Sequence, residues 1–242
     1  QGKLVAEFHV LRVDDEEFWL RCEPAVAPLL AGGLARFRIR VRVNIDDRSA
    51  ASAALVVRGP NARSLAADTP PEIGCFRIDW PDLPGFELVG ERSAVASQWL
   101  ALGDQHEADV EALELARIEA GVPRQPVDID ERTIAQEANL ERTAVSFTKG
   151  CFVGQELVCR IDARGHVNRT LRRLSSDALM RAGDAIVHGE RSVGSISSSA
   201  MRPEGGTMAL AMVLERREAR GVVVIDDFVF TRGVLDDGDA VG

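Results

Sequence analysis

The feature of this 242-residue sequence that most constrains its fold is the order in which two hydrophobic periods follow one another. Apolar residues at every second position line one face of a strand, and apolar residues at a spacing of about 3.6 line one face of a helix. Here the two periods are mixed without the regular alternation that a doubly wound sheet requires, which predicts an α+β fold rather than a Rossmann fold. Leu4 to Leu11 and Phe18 to Cys22 flank an acidic turn at Asp14 to Glu17 and read as two paired strands. Pro28 to Gly33 starts or interrupts a helix. Phe37 to Val43 sets Phe37, Ile39, Val41 and Val43 against arginines, the pattern of a half-buried strand with a basic face.

A polar linker, Asp46 to Ala53, precedes a strand and turn over Ala54 to Pro60 and a helix at about 61–67. Cys75 to Trp80 and Gly85 to Val89 read as strands. Glu91 to Leu102 and Glu107 to Glu119 have helical spacing, the second with Ala112, Leu115, Ala116 and Ile118 available for one buried face. Beyond residue 170, the runs Leu171 to Leu174, Ala185 to Val187, Ser192 to Ser197, Met208 to Val213 and Gly221 to Ile225 are short and separated by glycines and polar turns, which predicts a small C-terminal β-barrel.

With 45% hydrophobic residues the chain can build one large or two to three small cores. A formal charge of -9 disfavours a general nucleic-acid binder, because neutralising phosphates needs a basic surface, and Arg169 to Arg173 read as a solvated rim. Neither a stretch of about 18 apolar residues nor a basic-then-apolar leader occurs, so a cytoplasmic protein without membrane contact is expected. Cys22, Cys75, Cys151 and Cys159 are far apart and form no C-x-x-C, which argues against a zinc site or a disulfide scaffold.

The chemistry is concentrated in Thr148 to Arg160. Gly150 and Gly154 permit backbone geometry that other residues resist, and Cys151 lies between them, two positions after Lys149. From Gly154 the pattern turns helical, with Leu157, Val158 and Ile161 on one stripe and Gly165 placed to end the helix. A thiol ahead of a helix N-terminus and close to a cation has its thiolate favoured, which makes Cys151 the leading candidate for chemistry. The competing reading is a small buried hydrophobe. Cys159, inside the helix, reads as packing. His166 reads as structural or as a surface group, because no Asp or Ser partner is marked by spacing. The serines from Ser195 to Ser199 read as strand and loop, since no G-x-S-x-G context surrounds them.

Lys149-Gly150-Cys151-Phe152-Val153-Gly154-Gln155-Glu156 resembles the K-G-C-[FY]-x-G-Q-E signature of the YgfZ family, folate-binding proteins connected with iron-sulfur enzymes and related to the glycine-cleavage T-protein. Arg117-Ile118-Glu119-Ala120-Gly121 resembles the R-x-E-x-G motif common to YgfZ and T-proteins. Gln136 to Leu140 matches a Q-E-A-x-L run, and Gly165 to Arg169 is close to G-x-V-x-R. Gln125 and Ala135 stand where a glycine and a proline are expected.

The resemblance implies a multidomain folate-binding core over residues 1–170, lacking the N-terminal segment of its first domain, with a second subdomain at about 48–118 and a C-terminal barrel over 171–242. It implies tetrahydrofolate or a one-carbon derivative as ligand, and iron-sulfur client enzymes or cluster assembly proteins as partners. In the signature, the ligand-contacting positions it implies are Lys149, Gly150, Gly154, Gln155, Glu156 and Arg160. Outside the signature they are Arg117, Glu119 and Arg169. Glu119 has a chemical rationale: the pterin edge presents two N–H donors side by side, which a carboxylate accepts as a paired contact. The plain alternative makes Arg117 and Glu119 surface charges.

Three functions follow. The first is a YgfZ-type protein that binds tetrahydrofolate and supports assembly or upkeep of iron-sulfur enzymes, with Cys151 offering an accessory activity. The second is an aminomethyltransferase. T-proteins carry an Asp-Asp pair on the strand aligned with Leu4 to Val10, where this chain has Ala6-Glu7, and they lack the signature cysteine. The third is a non-catalytic scaffold that no longer binds folate.

Overall fold

A computed structural model describes residues 2–103, 107–214 and 229–231, and these divide into two compact units: the described residues from 5 to 109, and residues 2–4 with 110–214 and 229–231.

In the first unit, β1 (His9–Arg12) and β2 (Phe18–Arg21) form the expected antiparallel hairpin, closed by Asp14, whose carboxylate accepts the backbone N–H groups of Glu16 and Glu17 at 2.7 Å. Helix α1 (Ala27–Ala35) has Pro28 in its first turn, where a missing N–H costs nothing. Strands β3 (Ser52–Arg58), β4 (Gly74–Trp80) and β5 (Leu83–Glu91) make an antiparallel sheet in the order β3-β5-β4. Helices α2 (Ala62–Leu65) and α3 (Arg92–Ala101) pack on it, enclosing Val57, Ala62, Ile73, Leu88 and Val95.

The stretch Phe37 to Val43 departs from expectation. It forms no strand, and Phe37, Ile39, Val41 and Val43 are exposed, Ile39 at 73%. Alternation encodes a strand only where a neighbour supplies the ladder hydrogen bonds, and no strand pairs with this stretch among the described residues. Arg40, at φ 64, also breaks the extended run.

The second unit is built on an antiparallel sheet ordered β10-β7-β8-β9-β6, comprising β6 (Arg169–Ser176), β7 (Ala185–His188), β8 (Arg191–Met201), β9 (Thr207–Leu214) and β10 (Val229–Thr231). The expected barrel is corrected here: β6 and β10 end the sheet and do not pair with each other, so among the described residues it is open. The run Gly221 to Ile225 lies outside the described residues. Helix α4 (Val110–Glu119) packs on β8 and β9, and Ile118, fully buried, meets Leu171, Met208 and Leu210. Of the face expected to bury, Leu115 is partly buried and Ala112 is exposed. The polar Arg117 is buried instead. Turns over 122–140 lead to α5 (Glu141–Ala144) and then α6 (Gln155–Arg164). No described helix is long and apolar enough to cross a membrane.

Candidate functional site

The signature segment is a surface loop feeding a helix. Gly154 caps α6 at φ 88, a conformation open to glycine at little cost, and Gly165 ends the helix at φ 67, its N–H donating to the Ile161 carbonyl at 2.9 Å. The Gln155 side chain accepts the Phe152 N–H at 3.2 Å and so ties the loop to the first turn. On the inner face of α6, Val158 is buried and Leu157 and Ile161 are partly so. Gln136 donates to the Val158 carbonyl at 2.9 Å. Asn139, held at φ 58, donates to the Leu171 carbonyl at 3.0 Å, so the Gln136 to Leu140 run stitches α6 to β6.

On the outer side, Phe152, Val153, Gly154, Gln155, Glu156, Leu157 and Arg160 line a depression of about 470 Å³. Glu156 and Arg160 are exposed. Lys149, also exposed, holds its ammonium 5.0 Å from the centre of the Phe152 ring. Gly150 faces open space. Cys151 is exposed, as a reactive thiol must be. Cys159 is exposed as well, which corrects its reading as packing: within α6 it lies next to Val158 in sequence and therefore turned about 100° away from that buried position. Cys22 and Cys75 are half-buried, and burial raises both thiols above their ordinary range.

The remaining sequence-predicted residues do not line this depression. Arg169 is engaged by Glu137, through Nε–Oε1 and Nη2–Oε2 contacts of 3.1 Å, and by the Arg132 carbonyl at 3.3 Å. Arg117 is 5% exposed and every N–H of its guanidinium is used. Nε and Nη2 grip Glu114 at 3.0 and 2.7 Å. Nη1 donates to the Val122 carbonyl at 2.5 Å and to Asp128 at 2.7 Å, and Nη2 donates also to Ser198 at 2.9 Å. Hydrogen bonding from Arg117 holds the Glu114 carboxyl below its ordinary range. Glu119, two residues on, is exposed, and its carboxylate makes no hydrogen bond or ion pair among the described residues, while its backbone carbonyl accepts from Arg173.

Sequence reasoning missed Asp128, Ser197 and Ser198. Both serine hydroxyls donate to Asp128 Oδ1, Ser198 at 2.7 Å. Adjacent strand residues ordinarily point to opposite faces; a register irregularity between Ile196 and Ser198 turns both toward one carboxylate. Asp128 accepts the Arg124 N–H too, at 2.9 Å. The available signal was the run of three serines, Ser197 to Ser199, inside a strand.

No family model matches the chain. It is 38% identical over 109 residues to the tRNA-modifying protein YgfZ of Aliivibrio fischeri, covering 41% of this chain and 33% of that protein. It is 24% identical over 249 aligned residues to an aminomethyltransferase of Cutibacterium acnes, covering 88% of this chain and 66% of the relative. The crystal structure of the glycine cleavage system aminomethyltransferase T from Bartonella henselae superposes with a TM-score of 0.71 at 19% identity, over 88% of this chain and 65% of that one. The chain spans about half the length, or less, of several curated relatives. The chain is thus similar to YgfZ proteins over part of its length and has the mixed α and β fold of the aminomethyltransferase T-protein.

Proposed function

We propose that this chain is the tetrahydrofolate-binding part of a YgfZ-type cytoplasmic protein that supports assembly or maintenance of iron-sulfur enzymes. The observation that carries this reading is Glu119: a carboxylate exposed, and unengaged among the described residues, at the end of a helix whose last turn is pinned from beneath by Arg117. Such a group fits the paired N–H donors of a pterin edge, and its neighbour Arg117, already saturated, does not compete for the ligand. Bound tetrahydrofolate supplies nitrogen atoms that carry a one-carbon unit. Cys151 adds an exposed thiol on the loop that enters the depression of α6. Local similarity to YgfZ proteins supports the same reading. Iron-sulfur enzymes or cluster assembly proteins are the partners in this proposal, and the division into a folate core over 1–170 and a C-terminal domain over 171–242 belongs to it.

Aminomethyl transfer is the second reading, favoured by the length of the aminomethyltransferase alignment. Ala6 and Glu7 stand against it, in place of an Asp-Asp pair of which one carboxylate supports the transfer chemistry, and Glu7 lies 3.6 Å from His9.

Calorimetric titration with tetrahydrofolate tests the proposal. Saturable binding that is weakened in Glu119→Ala supports it, together with failure of Cys151→Ser to restore iron-sulfur enzyme activity in cells lacking the protein. Absence of binding by the wild-type protein leaves the scaffold reading. Folate-dependent ammonia release from an aminomethyl-lipoyl carrier at T-protein-like rates would replace the proposal with the transferase reading.

A further inference from the structure

The buried charge cluster beneath α4 lies outside the depression at α6, and its own groups are turned away from solvent. Arg117 reaches four separate pieces of chain: Glu114 one turn back on α4, the Val122 carbonyl just past the helix, Asp128 in the following turn, and Ser198 on β8. Asp128 gathers the other side, accepting from Arg124 N–H and from the Ser197 and Ser198 hydroxyls. Between the two groups runs the segment 119–124, containing Glu119 and the left-handed Gly121 at φ 71. Arg173 donates to the Glu119 carbonyl from β6. Every one of these ties constrains where the Glu119 backbone sits, and none of them engages its carboxylate.

We infer that Arg117, seated on Asp128 and on Ser198 of β8, is the positioning residue for Glu119, fixing the carboxylate for the pterin edge rather than touching the ligand. This rests on the folate reading of Glu119. A planar guanidinium is suited to the task because its fork directions are rigid, so several anchors fix one orientation. A lysine at the same position would keep the charge and lose that geometry.

Ser198→Ala is the most informative variant, because it removes one donor to Asp128 and one acceptor for Arg117 without stranding a charge. Arg117→Lys is the conservative partner. Binding of tetrahydrofolate, tetrahydropterin and p-aminobenzoylglutamate is measured for each, alone and combined with Glu119→Ala. The expected result is a loss of about threefold to tenfold in affinity for tetrahydrofolate and tetrahydropterin. Affinity for p-aminobenzoylglutamate stays unchanged, and no further loss occurs once Glu119 is gone. Hydrogen exchange of the amides over 119–124 is measured alongside and is expected to speed up while that of residues 110–115 does not. Equal losses with and without the Glu119 carboxylate, or unchanged exchange over 119–124, overturn the inference. If wild-type protein binds no tetrahydrofolate while 119–124 still loosens in Ser198→Ala, the folate reading falls and the positioning of Glu119 stands.

Discussion

Arg117 and Asp128 form a buried ion pair, with Nη1 2.7 Å from Oδ2 and the Asp128 side chain wholly enclosed. Two charges withdrawn from water gain little over apolar residues of the same size, but either one left alone is costly. Asp128→Ala should therefore lower the stability of its unit by about 3 to 5 kcal/mol. The double variant Arg117→Met with Asp128→Leu should recover most of that loss. Urea unfolding of all three proteins checks this, and a double variant as unstable as Asp128→Ala would count against it.

Glu119 should show the opposite profile. Because its side chain is exposed and without a partner among the described residues, Glu119→Ala should alter unfolding by less than about 0.5 kcal/mol. Tetrahydrofolate binding should nevertheless weaken by about 2 to 5 kcal/mol, the cost of removing the charged half of a hydrogen-bonded contact. Calorimetry and thermal unfolding on the same sample separate the two effects.

The four thiols should fall into two classes. Cys151 and Cys159 are exposed, whereas burial raises Cys22 and Cys75 above their ordinary value of 9.0 and so keeps them protonated. Alkylation at neutral pH, read by mass spectrometry, should label the first pair well before the second. The linkage has a definite sign: with folded values raised, these two thiols contribute stability below about pH 9 that is lost as the pH climbs through their folded values. Replacing Cys22 and Cys75 with alanine should flatten that alkaline fall.

At the acid end Glu114 should contribute. Hydrogen bonding from Arg117 lowers its carboxyl below the ordinary 4.5, so its contribution is complete above that value and disappears as the pH falls through the lower, folded one. Glu114→Gln should be less stable than wild type at pH 7 and should lose less on acidification, as urea midpoints between pH 7 and pH 3 would reveal.

The sequence pattern anticipated those parts of the fold governed by local chemistry. The hairpin at Asp14, the helix between Gly154 and Gly165, and the exposure of Cys151 all depend on residues within a few positions of one another. It failed where a distant partner decides. Arg117 reads as a ligand or surface charge because Asp128 and Ser198 are 11 and 81 residues away, and no periodicity ties them together. Cys159 differs from its buried neighbour Val158 only by a rotation of about 100° around the helix axis, which hydrophobicity alone does not resolve. The open sheet likewise depends on which end strands meet, a question of closure that short β-like runs leave undecided.

The stretch from Arg36 to Val43 also sets how the chain meets a protease. A protease cleft binds its substrate as an extended strand, and here an exposed segment without ladder hydrogen bonds offers arginine at 36, 38, 40 and 42. Brief trypsin digestion should cut there before it cuts inside β3, β4 or β5. The nick would sever the β1 and β2 hairpin from the sheet covalently. Noncovalent ties would then hold the fragment in place, among them the Arg21–Glu87 ion pair and the contact of the Trp19 ring with Gly74, where a β-carbon would come within 2.5 Å.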